Sequence, residues 1–344
     1  MQDYKFTTTG YIGYEQDVLR IRNANRDIPK TLEESAWRYQ SLVGAPEPKV
    51  FWVHDAAGRA VGMASVIYRL YWVDSKPEYF GILGDISLTS ELRGRGLGKE
   101  LILFVNRYLD TSVPARLGFI IPNLAAEKTV ASVGWKAEGR HILYVMPVSL
   151  WAKIRKMTGL PPAKAKHSFF ADILKRFLSS YVPNGYSLQS IDKLDKEFDR
   201  FWELYPKSGL ALEDRSAASL KWRYLDYPER NFTIMALRYQ DEFAGYAVVK
   251  FSDDQRTCEI YDLLIAKPHR VECLIAALVI QCMQLAFIIE VRIILSDKHP
   301  YRAHLGRLGF LRRASLGAYQ LYGSCGMTIN RDLAWMITAG DKDM

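Results

Sequence analysis

The feature that most constrains this chain is that it is written twice. "AWRYQSLVGAP" is echoed by "KWRYLDYPER", so Trp37 matches Trp222 at a spacing of 185 residues. "AVGMASVIY" is echoed by "FAGYAVVKF", with Gly62 opposite Gly245 at 183. "GDISLTSELR" is echoed by "YDLLIAKPHR", which sets Asp85 against Asp262 and Arg93 against Arg270, both at 177. "SVGWKAEG" is echoed by "RLGFLRRA", with Gly134 against Gly309 at 175. The order is kept and the spacing shrinks steadily, which marks a duplicated unit of domain size.

Each copy carries the same pattern. An opening strand and helices hold the Trp-Arg-Tyr, and a hairpin follows: "VFWVH" and "VGMASVIY" about "DAAGR", or "FTIMALRY" and "AGYAVVKF" about "QDE". Gly and Asp at such tips are turn residues. A strand then ends at Arg93 or Arg270. A helix follows ("KELILFVNRYL" or "VECLIAALVIQCMQLAF"), then another strand, another helix and a Gly-aromatic turn. This predicts an α/β (α+β) protein of two tandem domains, each a mixed, mostly antiparallel sheet flanked by helices. The expected boundaries are 1–150, a basic connecting segment 151–185, and 186–344 with a closing tail.

Hydrophobic residues at 49% and charged residues at 24% exclude a chain disordered over most of its 344 residues. A net charge of +8 favours anionic partners without choosing among them. The four cysteines, Cys258, Cys273, Cys282 and Cys325, contain no CxxC pair and lie among apolar residues. They read as reduced packing residues of a cytoplasmic protein. "MQDYKFTTTG" lacks the basic-then-apolar pattern of a secretory signal. "CLIAALVIQCMQLAFII", 273–289, contains Gln281 and Gln284 and is shorter than a membrane span, so a buried core helix is expected.

"ELRGRGLGKEL", 91–101, places three alternating glycines among Arg93, Arg95 and Lys99, between a strand and a helix. A helix start offers unpaired N–H groups and a partial positive charge, and removing Cβ at Gly94, Gly96 and Gly98 lets a ligand touch the backbone. The combination is an anion cradle suited to a phosphate or pyrophosphate. The spacing fits neither a P-loop nor GxGxxG, because Glu100 follows Lys99 and Lys99 stands where a glycine is needed. What remains is RxxGxG, with a tight strand-to-helix turn as the plain alternative.

Strand, RxxGxG, helix, strand, then Asn123, Ala126, Gly134 and Trp135 in order, resembles the GCN5-related N-acetyltransferase superfamily. The resemblance covers about 50–147 and, through the repeat, about 186–326. It implies that Arg93, Gly94, Arg95, Gly96, Gly98 and Lys99 hold the pyrophosphate of acetyl-CoA. It implies that Ile86 and Leu88 pair with its pantetheine arm and that Asn123 touches the arm or the acceptor. The second copy departs from the pattern: Cys273, Ile275 and Lys298 stand at the positions of Gly96, Gly98 and Asn123. It is therefore read as a degenerate copy without a cofactor site. In many relatives a Tyr protonates the leaving thiolate; that position is Val130 here, and Leu305 in the repeat.

Acyl transfer to a lysine-type amine, with a pKa of about 10.4, needs a base. The candidate is Asp85, with Ser87 on the same strand face by the period of two. The alternative is that Asp85 pairs structurally, and its repetition at Asp262 supports this. Trp37, Arg38 and Tyr39 are candidate acceptor-binding residues; the alternative is a packing corner common to both halves. The segment 153–177, with seven Lys or Arg against one Asp and apolar residues at helical spacing, is an inter-domain helix or a weak contact with an anionic membrane surface. No metal-ligand pattern and no nucleic-acid module is present, so neither partner is expected.

The reading that results is an N-acetyltransferase that moves an acetyl group from acetyl-CoA to a small-molecule amine, with an amino sugar as candidate. The paired "WRY", the tail "AWMITAGD" and the domain order also resemble two-domain acetyltransferase-like proteins of surface-polysaccharide clusters. Two alternatives stay open. One is an aminoacyl transferase of the peptidoglycan-bridge kind, against which the intact RxxGxG argues. The other is a non-catalytic CoA-binding or scaffold protein, which the missing Tyr favours.

Overall fold

The computed structural model of the chain describes residues 4–24, 26–40, 42, 44–111, 115, 117–149, 169–229, 231–285, 288–323, 330 and 332–341. The first half runs β1 (Lys5–Thr9), α1 (Glu15–Asn23), α2 (Leu32–Arg38), β2 (Lys49–His54), β3 (Ala60–Val73), β4 (Lys76–Leu88), α3 (Leu97–Thr111), β5 (Leu117–Ile120), α4 (Leu124–Ala131) and β6 (Lys136–Pro147). The second half repeats this order with one strand added: β7 (Tyr186–Ile191), a helix Lys196–Leu204, the added β8 (Leu210–Glu213), a helix Ala217–Leu220 that runs on into a helical turn Lys221–Leu225, β9 (Phe232–Tyr239), β10 (Glu242–Phe251), β11 (Thr257–Ile265), a helix Val271–Gln284, β12 (Glu290–Ser296), a helix Arg302–Leu305 and β13 (Leu311–Gly323). The tail adds β14 (Ala334–Trp335).

Local chemistry sets these elements. Thr31 and Glu34 form a reciprocal capping box that starts α2. Leu97, Leu101, Ile102, Val105 and Leu109 give α3 one buried stripe. The helix Val271–Gln284 is apolar on nearly every side and is buried, as expected. No described helix is long and apolar enough to cross a membrane. Of the basic connecting segment, residues 169–185 are described, and they begin with the helix Phe169–Ser179. Leu178 is fully buried in the second half's core and Leu174 packs against that core, while Phe170, Ile173 and Phe177 face outward. Cys258, Cys273 and Cys282 are buried and free, and Cys325 falls outside the described residues.

The halves do not keep separate sheets. The strand order is β1-β2-β3-β4-β5-β13-β6-β12-β11-β10-β9-β7. The last strand of the second half, β13, pairs with β5 of the first from Gln320↔Ile120 to Gly323↔Leu117. Reciprocally, β6 pairs with β12 from Glu290↔Pro147 to Ser296↔His141. Each half thus supplies the strand that completes the other. The exchange leaves no open edge in the middle of the sheet.

The core follows the same logic. One cluster joins Trp52, Tyr71 and Phe119 of the first half to Tyr319, Trp335 and Ile337 of the second. Burial of side chains of this size stabilises by about 1.5–3 kcal/mol each, so neither half closes its core alone.

The repeated Trp-Arg-Tyr lies on the pseudo-twofold axis. Trp37 and Trp222 stack on each other with centroids 4.7 Å apart and planes at 7°. The Trp37 indole donates to the Trp222 carbonyl at 2.8 Å, and the Trp222 indole to the Trp37 carbonyl at 3.4 Å. This is the self-complementary contact that a twofold interface demands. The two copies of the motif meet each other through their tryptophans.

Candidate acyl-CoA site

The site begins where β4 leaves β5. The two strands run parallel and, among the described residues, pair at Phe80↔Leu117, Gly81↔Gly118 and Ile82↔Phe119. Beyond Ile82, residues Leu83 to Ser87 have no strand partner on the β5 side among the described residues. A V-shaped gap opens there, flanked by bare backbone that an extended ligand can pair with.

At the mouth of the gap a 3-10 turn, Ser90–Leu92, leads into the glycines. Gly94 and Gly96 adopt φ of +75° and +83°, conformations that a side chain strongly disfavours. A Cβ at either would meet open space, so it is φ rather than crowding that demands glycine. Leu92 and Leu97 are buried and pin both ends of the loop. Among the described residues, no acceptor bonds the five successive amides of Gly94 to Gly98. Arg93, Arg95 and Lys99 are exposed around them. Free amides, a helix start and three cations are the groups that could hold an anion.

The second half closes the same features. Its helix begins at Val271, three residues earlier in the repeat than α3, so the loop is wound into the first turn. Glu272, buried in that turn, accepts from His304 Nδ1 at 2.6 Å and pairs with Arg270 at 3.3 Å, placing the protein's own anion at the helix start. β11 and β12 also part, after Ile260↔Ile293. That gap is filled: Tyr301 Oη accepts from the Ile265 amide at 3.3 Å, and the Ser296 amide donates to the Ile337 carbonyl of the tail at 2.9 Å.

Asp85 takes a different role from the one its position predicts. A bulge between Met63 and Ser65 breaks the period of two along β3–β4. Asp85, at φ +49°, faces α1 and α2 instead of α3. Its carboxylate pairs with Arg22 at 2.7 Å, Arg38 at 2.8 Å and Arg26 at 3.4 Å, and accepts from the Tyr39 hydroxyl at 2.9 Å. Burial pushes its pKa up, but Arg38 and Arg22 outweigh burial and hold the carboxyl well below the usual range. A carboxylate so held takes up a proton poorly, so the expected base role is replaced by a structural one. Arg38 and Tyr39 are buried in the same cluster, where both donate to Asp85, and Trp37 is buried in the twofold stack. The pattern recurs: Arg215 pairs with Asp262 at 2.8 Å and Tyr224 donates to it at 3.2 Å.

The remaining predicted residues sort plainly. Ile86 and Leu88 pack toward the core beneath α3 while their backbone borders the gap. Ser87 is half-buried on the ladder opposite Met63. Asn123 caps α4, accepting from the Ala126 amide at 2.9 Å, so its oxygen is committed while the residue stays exposed. Val130 is buried in the core under α3, where a hydroxyl has no place. Sequence reasoning missed Arg22, Glu213, Arg215 and Asp341, all buried charges. A cleft of about 550 Å³ lies beside α2, bordered by Tyr11, Glu33, Trp37, Tyr39 and Asp226. Among the described residues no His, Cys, Asp or Glu cluster could hold a metal.

The sequence profile of the acetyltransferase (GNAT) family matches residues 18–131 and 193–310, more than half of the chain. The chain belongs to the GNAT acetyltransferase family. Each half is one GNAT repeat, and acyl transfer is the family's chemistry. None of the curated proteins matches this GNAT protein. Among solved structures, it resembles a GCN5-related N-acetyltransferase from Anabaena variabilis, at 13% identity and a TM-score of 0.63, over 93% of this chain and 72% of that one. It resembles a tandem GNAT protein from the clavulanic acid biosynthesis pathway, at 14% identity and 0.56, over 95% and 100%. It also resembles Saccharomyces cerevisiae N-myristoyltransferase with bound myristoyl-CoA, at 11% identity and 0.54, over 94% and 83%. At these identities the likeness is one of fold.

Proposed function

We propose that this GNAT protein transfers an acyl group from acyl-CoA, with acetyl-CoA the candidate donor, to the amine of a small molecule in a ternary complex built on the first half. One observation carries the reading. Among the described residues, the bare edge of β4 leads straight to five free amides at the start of α3, and only the first half leaves both open. A pyrophosphate fits the amides of Gly94 to Gly98, with Arg93, Arg95 and Lys99 around it. An arm extending from there along Ser87 to Leu83 ends with its thioester where β4 and β5 meet. The acceptor, a small amine for which an amino sugar is one candidate, approaches from the α2 side. Holding donor and acceptor together supplies much of the rate.

The test is calorimetric titration with acetyl-CoA. The wild type is expected to bind at micromolar affinity. Gly96→Glu, which puts a carboxylate into the cradle and strains a φ of +83°, is expected to lose about tenfold or more while keeping its circular dichroism. Absence of binding by the wild type would refute the reading. Binding without transfer to any amine would assign a CoA-sensing protein instead.

A further inference from the structure

A small cavity of about 30 Å³ lies between the halves, on the α2 face of the sheet. A water needs roughly 10–15 Å³ of such space, so the cavity has room for about two waters and for no larger ligand. Ile67, Tyr71 and Ile82 line it from the first half, and Glu213, Arg223 and Asp341 from the second. Ile82 is the last residue of β4 to pair with β5, so the cavity touches the point where the gap begins.

Its two carboxylates differ. Asp341 is gripped by Arg215 at 2.8 and 2.9 Å, meets Arg223 at 3.3 Å, and accepts from the Thr338 amide at 2.8 Å. Burial raises its pKa, but Arg215 and Arg223 outweigh that and keep it ionised. Glu213, opposite Tyr71 on the β3–β8 ladder, pairs closely with Arg223 and only at 3.8 Å with Arg69. The groups facing it are Arg69 and Tyr71 from β3, Arg223 and Arg215 from the second half, and Asp341 from the tail. Burial pushes Glu213 up, Arg223 pulls it down and Asp341 pushes it up again, leaving it at about 7. A base whose pKa lies near the working pH is the most effective kind.

We infer that Glu213 receives the proton of the acceptor amine through water in this cavity. The inference rests on the reading that acyl-CoA lies in the first-half gap. The amine nitrogen attacks the thioester carbonyl carbon, the C–N bond forms and the C–S bond breaks. The proton leaving nitrogen passes through water to the Glu213 carboxylate, which returns it to the departing thiolate or to solvent. The second half, whose own cradle and gap are filled, thereby contributes the base for the site of the first.

Thiol release from acetyl-CoA is followed across pH 5.5–9 with D-glucosamine as acceptor, and with water alone as the fall-back acceptor. The wild-type rate is expected to fall below a midpoint near 7. Glu213→Gln is expected to lose that limb and roughly 100-fold or more of the rate while binding acetyl-CoA as the wild type does. Glu213→Asp is expected to retain a limb. An unchanged limb in a folded, acetyl-CoA-binding Glu213→Gln overturns the inference, and so does a wild type that binds acetyl-CoA yet releases no thiol with either acceptor. A wild type that binds no acetyl-CoA removes the proposed function, and this inference with it. If Glu213→Gln does not fold, infrared titration of ¹³C-glutamate-labelled wild type decides. A protonated carboxyl that ionises between pH 6 and 8 supports the assignment, and its absence overturns it.

Discussion

Replacing Asp85 by Asn separates a structural ion from a catalytic base. The carboxylate is fully buried between Arg22 and Arg38, each with a side chain only 2% exposed. Asn keeps the shape and removes the negative charge that lies between the two guanidiniums. Removing one partner of a buried pair costs about 3–5 kcal/mol, much of it the penalty of the stranded charge. Asp85 is close to both guanidiniums, which places Asp85→Asn within that range. Denaturant unfolding should therefore show a midpoint shift equivalent to about 3–5 kcal/mol, with the slope unchanged. The pH dependence has a definite sign. Because the folded pKa is depressed, the contribution is fully present above the unfolded value, about 3.9, and is lost as pH falls below it. The difference between Asp85→Asn and the wild type should thus stay constant from pH 5 to 8. A variant within 1 kcal/mol of the wild type that has lost transfer and its pH dependence would refute the reasoning and return Asp85 to the chemistry.

Two further outcomes follow from the exchanged strands and the buried charges. Residues 1–150 and 151–344, expressed separately, should be insoluble, and co-expressed should purify as one complex, because β5 and β12 each need a strand from the other piece; two independently soluble, monomeric pieces would contradict the exchange. Burial holds His299 down to about 3 and Arg215 adds to it, outweighing Asp341, so the folded imidazole stays neutral while the unfolded one titrates near 6.5. Its contribution is present above pH 6.5 and is lost below, at about 1.4 kcal/mol per pH unit, and a His299→Gln variant should flatten that part of the stability profile.

Much of this was legible in the sequence, for reasons particular to each element. The duplication fixed the order of strands and helices in both halves, and the three glycines marked the loop because two of them need positive φ. The partners of Asp85 were not legible. Arg22 is 63 residues away, and only its helical spacing from Val18 and Ile21 hinted that it points inward. The bulge beside Asp85 breaks the alternation along the strand, a local event that periodicity does not carry. The exchange of β6 and β13 was hidden because each reads, by pattern alone, as the closing strand of its own half. Repetition of Trp-Arg-Tyr leaves acceptor binding and a packing corner both open in the sequence, because the stack of Trp37 on Trp222 joins residues 185 positions apart.

The exchanged strands also set the order in which the protein becomes safe. During synthesis β5 is complete at Ile120, but its neighbour in the finished sheet starts at Leu311. Until then the nascent first half presents two unpaired strand edges, on β5 and on β6, and an apolar face awaiting Tyr319 and Trp335. Pairings this distant close slowly, and open edges invite intermolecular pairing. A polypeptide stalled or truncated anywhere before β13 therefore keeps the edge of β5 open to such pairing.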